Sequence, residues 1–326
     1  MLIKSLSTNK NNISLLMFKP NNEKDLIKYY ESYVDNKNNL LGHDDDAVAV
    51  NLSDNKMVIN IDGWVESTDR PNGMSPFGVG YRAVCNAASD VIAKGAKPTG
   101  MIISMTLDEK HWEQFENIID GFKAASSKYN ISYLGGDTNK GRDLVIDVVV
   151  WGTSEKLVKR RGIKENDLVC WIGDELGRNA AALGVLTKDW KGEKNIALSI
   201  MENPNLYLNF IEINANSSID CSDGLAFSLY QLIKDTKYGI KIDNNIIDYG
   251  DEWAAKISQI NDIELSELIF YGGEELGIVF TCSSKTYETM KKKHGRDIKL
   301  LGIVSNEKGV YYDGEKIQNK GWDHFD

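Results

Sequence analysis

Strand-like and helix-like runs alternate along this chain, and five places at or near their junctions carry an acid beside glycine, a hydroxyl residue or another acid. Each amphipathic helix must bury its stripe on a sheet, so the alternation dictates a layered α/β (α+β) fold. The acids lie at Asp44-Asp45-Asp46, Asp62-Gly63, Ser89-Asp90, Gly136-Asp137-Thr138 and Asp220-Cys221-Ser222-Asp223-Gly224.

The runs between them are readable in turn. Asn22 to Val34 has helical spacing, and Met57 to Ile61 reads as a strand ending at Asp62-Gly63. A glycine-rich loop, Gly73 to Gly80, enters a helix over about Phe77 to Lys94 that holds Ser89-Asp90 in its interior. Met101 to Thr106 is a strand, and Glu109 to Tyr129 is a helix whose stripe of Trp112, Phe115, Ile118, Ile119 and Phe122 predicts core packing. Gly135 to Thr138 reads as a turn before the strand Leu144 to Trp151. In the second half, strands are expected at Leu168 to Ile172, Ser217 to Ser222 and Leu276 to Thr281. Helices are expected at Leu176 to Leu186 and Gly224 to Asp235, with a hairpin at Asp313-Gly314.

A length of 326 residues suits two domains. The boundary is placed ahead of the basic cluster Lys159-Arg160-Arg161, giving 1–155 and 156–326. A net charge of −10 argues against a nucleic-acid backbone or an anionic membrane as the main partner. The four dispersed cysteines form no metal-binding pair and fit reduced thiols in a cytoplasmic protein. No run reaches the length of a membrane span.

Each acidic turn alone is compatible with a cap or a solvated loop. As a set they favour a hard divalent cation such as magnesium, which takes oxygen ligands and shares its shell with substrate phosphates. No G-x-x-x-x-G-K-[ST] loop and no H-R-D or D-F-G set is present, so a nucleotide must be held another way.

The order and intervals of these turns resemble the superfamily of aminoimidazole-ribotide synthetase, selenophosphate synthetase and thiamine-monophosphate kinase. Asp45-Asp46-Ala47-Val48-Ala49-Val50, Ser89-Asp90 through Gly95-Ala96-Lys97-Pro98, Gly135-Gly136-Asp137-Thr138 and Ile219 through Leu225 carry the resemblance. Gly272-Gly273-Glu274-Glu275 and the tail Lys320 to Phe325 point to the kinase branch. The likeness departs at Asp44, which replaces a glycine, at Asn60-Ile61, at Glu66 to Pro71 and at Glu275-Leu276-Gly277.

The resemblance implies a two-domain aminoimidazole-ribotide synthetase-like fold, with an N-terminal mixed sheet that pairs across a homodimer and a C-terminal α/β domain. It implies transfer of the ATP γ-phosphoryl group to thiamine monophosphate with several Mg2+ ions. Asp46, Asp62, Asp90, Asp137 and Asp220 are the implied metal ligands, assisted by Asp45 and Asp223, with Asp46, Asp137 and Asp223 closest to the chemistry. Gly136, Asp137, Arg160 and Ser222 would face ATP, and Asp69, Glu274 and Trp322 the thiamine. Bland readings stand beside two of these: Arg160 as part of a solvated turn and Trp322 as the anchor of a tail. Another synthetase of the superfamily and a non-catalytic nucleotide-binding paralogue are the alternative functions.

Overall fold

Every second residue of β5 (Val145–Ser154) is buried, the period of a strand covered on one face. In the computed structural model, which describes residues 36–42, 44–294 and 298–321 with Asp25, Ile27 and Tyr33, that strand is the centre of a five-stranded mixed sheet. Its order is β1 (Val48–Leu52), β2 (Asn55–Val65), β5, β3 (Lys97–Leu107), β4 (Ser132–Lys140), and only β3 and β4 run parallel.

The short helix α1 (Glu66–Asp69) follows β2, and α2 (Pro76–Ala93) packs on the sheet. Ser75 caps α2 by accepting from Gly78 N at 3.0 Å, and Pro76 at the first helical position supplies a preset φ. Helix α3 (Trp112–Tyr129) lies close against α2 because neither contact point carries a side chain. A Cβ on Gly80 would fall 2.1 Å from Ile118 O, and one on Gly121 would fall 2.2 Å from Phe77 O.

The second sheet has seven strands in the order β12 (Glu315–Lys316), β11 (Val310–Tyr312), β8 (Gly239–Ile242), β10 (Ile298–Ser305), β6 (Leu168–Ile172), β9 (Ile278–Cys282), β7 (Ser217–Asp220). It too is mixed, β11 and β8 being parallel. Its helices are α4 (Arg178–Thr187), α5 (Lys194–Glu202), α6 (Leu225–Ile233), α7 (Glu252–Ile260), α8 (Leu265–Tyr271) and α9 (Ser284–His294). Cys170, Ile172 and Phe280 on one face join the core that runs under α2, while Val169, Trp171 and Val279 on the other pack on α6. Helix α2 therefore lies where the two sheets meet, touching β2, β5 and β7.

Several expectations are corrected. Strand β2 does not end at Asp62-Gly63 but continues to Val65, paired with β5 throughout. Gly135 to Thr138 is no turn: it lies inside β4, where Gly135 has φ +135° and Gly136 has no room for a side chain, its Cβ falling 1.7 Å from Ile103 O. Glycines there serve close strand approach. Trp112 is 67% exposed at the start of α3 instead of joining the core, whereas Ile118 and Phe122 are buried. The expected helix at 22–34 lies, but for three residues, outside the described ones, as does Trp322. The four cysteines are free and buried.

Candidate active site

The acidic run preceding β1 is held by cations of the protein itself, each carboxylate by a different set. Asp44, in the left-handed region at φ +57°, pairs with Arg161 at 3.0 Å, with Lys234, and with Arg160 at 3.7 Å. Asp45 Oδ1 accepts from Lys94 Nζ at 2.7 Å, and its Oδ2 accepts from Arg160 N at 3.0 Å. Asp46 pairs with Lys94 Nζ at 2.5 Å and with the Arg160 guanidinium. Burial pushes the Asp46 carboxyl up, but Arg160 and Lys94 reverse this and hold it below the usual range.

Of the three, Asp46 faces the other acids. One oxygen each from Asp46, Asp90 and Asp220 lies within 4.8 Å of the others. Three distant segments meet here: the loop before β1, the last turns of α2, and the end of β7. Asn60 donates to Asp90 Oδ2 at 2.5 Å, and Ser89 Oγ donates to Asp220 Oδ2 at 3.0 Å. Burial, then the charges of Asp220, Asp46 and Asp62, raise the Asp90 carboxyl well above its ordinary value. Burial and Asp46 push Asp220 up to about 7. Mutual repulsion of this kind is relieved by a hard cation, and the all-oxygen donor set fits Mg2+.

Asp62 lies beside this group on β2, pushed up to about 7 by burial and by Glu274, Asp69 and Asp223. Asp69 Oδ2 accepts from Val65 N at 2.7 Å, which turns the chain out of β2. Asp137 is exposed on β4, where its Oδ2 accepts from Asn139 at 2.9 Å, and stands outside the trio of Asp46, Asp90 and Asp220. Ser222 O accepts from Glu274 N at 2.6 Å, joining the Asp220 to Gly224 turn to the Gly272 to Glu275 loop. Glu274 lines a small open cleft together with Asp174, Arg178, Tyr207 and Glu275 among others.

Residues 44–154 match the family described as AIR synthase related protein, N-terminal domain. The chain is 32% identical to the thiamine-monophosphate kinase of Nitrosopumilus maritimus over 320 residues, which cover 93% of this chain and 98% of that one. The chain belongs to the thiamine-monophosphate kinase family. The thiamine-monophosphate kinase of Pyrococcus horikoshii is 30% identical over 93% of this chain and 96% of its own. Among solved structures, AaThiL complexed with AMPPCP and TMP superposes with a TM-score of 0.80 at 25% identity, covering 93% of this chain and 97% of that one. The thiamine monophosphate kinase from Aquifex aeolicus gives 0.73 at 26% identity, over 90% and 97%.

Within this thiamine-monophosphate kinase fold, three participants went unassigned in the sequence reading. Lys94 has no exposed surface, a rare position for lysine unless paired. A cation in the apolar company of Val91, Ile92, Ala93 and Ala96 was the available signal. Asn60 offered none, since it is distant in sequence from its partner Asp90. Arg82, 2% exposed inside α2, reaches Glu274 across 192 residues.

Proposed function

We propose that this chain transfers the γ-phosphoryl group of ATP to the phosphate of thiamine monophosphate, giving thiamine diphosphate and ADP. The observation that carries the reading is the convergence of half-buried Asp46 and Asp90 with buried Asp220 in a chain of this family. The acceptor oxygen is anionic at neutral pH and needs no strong general base, so charge neutralisation and in-line positioning suffice.

Asp46, Asp90 and Asp220, with Asp62, Asp137 and Asp223 around them, would hold Mg2+, which supplies the neutralising charge between the phosphates. Asp45 assists by fixing the loop: its oxygens, engaged by Lys94 and Arg160 N, set the direction in which Asp46 points. Gly136, Arg160 and Ser222 face the nucleotide. Arg160 suits this because its guanidinium is a planar fork of donors and its side chain, although paired with Asp46, is still 13% exposed. Asp69, Glu274 and Trp322 contact the thiamine. Residues 1–155 form the half with the dimerising sheet and most of the nucleotide and metal contacts, and 156–326 the half that adds Arg160, Asp220, Ser222 and Asp223 to them.

The dimer reading has its own support. On the face of the first sheet away from α2, Ile61, Val149 and Ile102 lie in one row across β2, β5 and β3. Ile61 is 65% exposed and Ile102 42%. A contiguous apolar row of this kind suits a second copy of the sheet.

The test is phosphate-resolved product analysis with ATP, Mg2+ and thiamine monophosphate, for the wild type and D46N. Thiamine diphosphate from the wild type alone is the expected result. An inactive wild type that is folded would return the function to another synthetase of the superfamily or to a nucleotide-binding paralogue.

A further inference from the structure

Arg82 is buried, yet three of its four hydrogen bonds go to one residue of the other half of the chain, Glu274. Its Nε lies 3.0 Å from Glu274 Oε2, its Nη2 contacts the same oxygen, and Nη2 also donates to Glu274 O at 3.0 Å. Nη1 donates to Met201 O at 2.9 Å. Glu274 needs such restraint, since its φ of +72° lies in the region that favours glycine. Three ties over-determine it: carboxylate and carbonyl to Arg82, and N–H to Ser222 O at 2.6 Å.

The carboxylate is not sealed by this arrangement. Its side chain remains 38% exposed and lines the open cleft, together with Asp174, Glu275 and Tyr207. One side of the Glu274 carboxylate therefore meets a guanidinium and another meets solvent. A buried arginine whose role was only to join the two halves would need no exposed partner in a strained backbone.

We infer that Arg82 is a positioning residue for the acceptor, holding Glu274 in one rotamer so that its carboxylate meets the cationic, nitrogen-bearing ring system of the acceptor. This rests on the function proposed above. Partial neutralisation by Arg82 also makes the contribution of Glu274 more directional than electrostatic: an oriented hydrogen-bond acceptor recognises an amino group borne on the ring, where an unpaired carboxylate would attract any cation. The same helix carries Asp90 two turns further on, so the effect of Arg82 on the acceptor is separable from that of Asp90 on the nucleotide.

The test is steady-state ADP release by the wild type, R82K, R82Q, E274Q and the R82Q/E274Q double variant, with thiamine monophosphate and ATP varied separately. R82Q is expected to raise KM for thiamine monophosphate by about tenfold or more while KM for ATP moves by less than about twofold. R82K is expected to regain part of the loss. The double variant is expected to be no worse than E274Q, because both substitutions remove one device. Equal rises in the two KM values, or an unmoved KM for thiamine monophosphate, would overturn the inference. If R82Q does not fold, R82K decides: it must raise KM for thiamine monophosphate in the wild-type background and leave it unchanged in the E274Q background, and any other pattern overturns the inference. An inactive wild type overturns the proposed function and this inference with it, whereas an active wild type with an indifferent R82Q overturns the inference alone.

Discussion

Lys94 Nζ, without solvent exposure at the end of α2, lies 2.7 Å from Asp45 Oδ1. The same ammonium reaches Asp46 Oδ2 at 2.5 Å and donates to Ser218 O at 2.9 Å, so one cation fixes the acidic loop to β7, an edge strand of the second sheet. Removing one partner of a buried pair leaves the other uncompensated, at a cost of about 3–5 kcal/mol. K94M is expected to lose stability on that scale in urea unfolding. A loss under about 1 kcal/mol would mean that the two carboxylates protonate or rehydrate without penalty.

Burial and neighbouring carboxylates raise both groups, Asp90 through Asp220, Asp46 and Asp62 and Asp220 through Asp46 and Asp223, so under the proposed function a divalent cation bound between them would stabilise the fold by offsetting that repulsion. Mg2+ with a non-hydrolysable ATP analogue is expected to raise the wild-type Tm by several degrees and to raise that of D220N far less. Equal shifts in both proteins would remove Asp220 from the ligand set.

Glu275 is buried against Asn179 Nδ2 at 2.9 Å, and burial pushes its carboxyl up from 4.5 to about 7. A raised folded-state pKa means that the native protein binds the proton more tightly than the unfolded chain. The stability this supplies is complete below about 4.5 and is lost as pH rises towards 7. E275Q keeps an acceptor for Asn179 and removes the charge, so it should flatten the decline over that window, by up to about 3 kcal/mol. Parallel curves of unfolding free energy against pH for the two proteins would refute the assignment.

Gly136 lies on an edge strand with its Cα against the carbonyl of Ile103. Adding one methyl group forces β4 away from β3, at a cost of about 1–3 kcal/mol. G136A should therefore lower Tm and, through the displaced Asp137, slow thiamine diphosphate formation. An active G136A of unchanged Tm would show that β4 yields freely.

A second copy on the open face of the first sheet would bury Ile61 and Ile102, and a carboxylate in their place would be left unpaired in an apolar contact. Sedimentation should find a dimer for the wild type and a monomer for the I61D/I102D variant. A wild type that sediments as a monomer at micromolar concentration would refute the pairing.

The layered fold was legible because its helices and strands carry clear periods, as in Val145–Ser154 and the buried stripe of α3. The motif acids were legible because small neighbours mark them. What escaped was set by pairing in space. Nothing local to Gly135-Gly136 distinguishes a turn from a strand pressed on its neighbour; the carbonyl of Ile103 decides it. Nor does the spelling of Asp44-Asp45-Asp46 disclose that all three carboxylates are paired with lysine or arginine, since Lys94, Arg160, Arg161 and Lys234 come from three other segments. Arg82 carries no local signal of its role, because its partner Glu274 lies 192 residues further along the chain.

Eight residues separate Arg82 from Asp90 along α2, a rise of about 12 Å. A straight helix does not stretch, so under the proposed function it acts as a ruler between the carboxylate that meets the acceptor's ring and the acid that meets the phosphates. Acceptors would then be sorted by the length between ring and phosphate as well as by charge, and an analogue with one methylene more or less in that span would place its phosphate out of line with the donor.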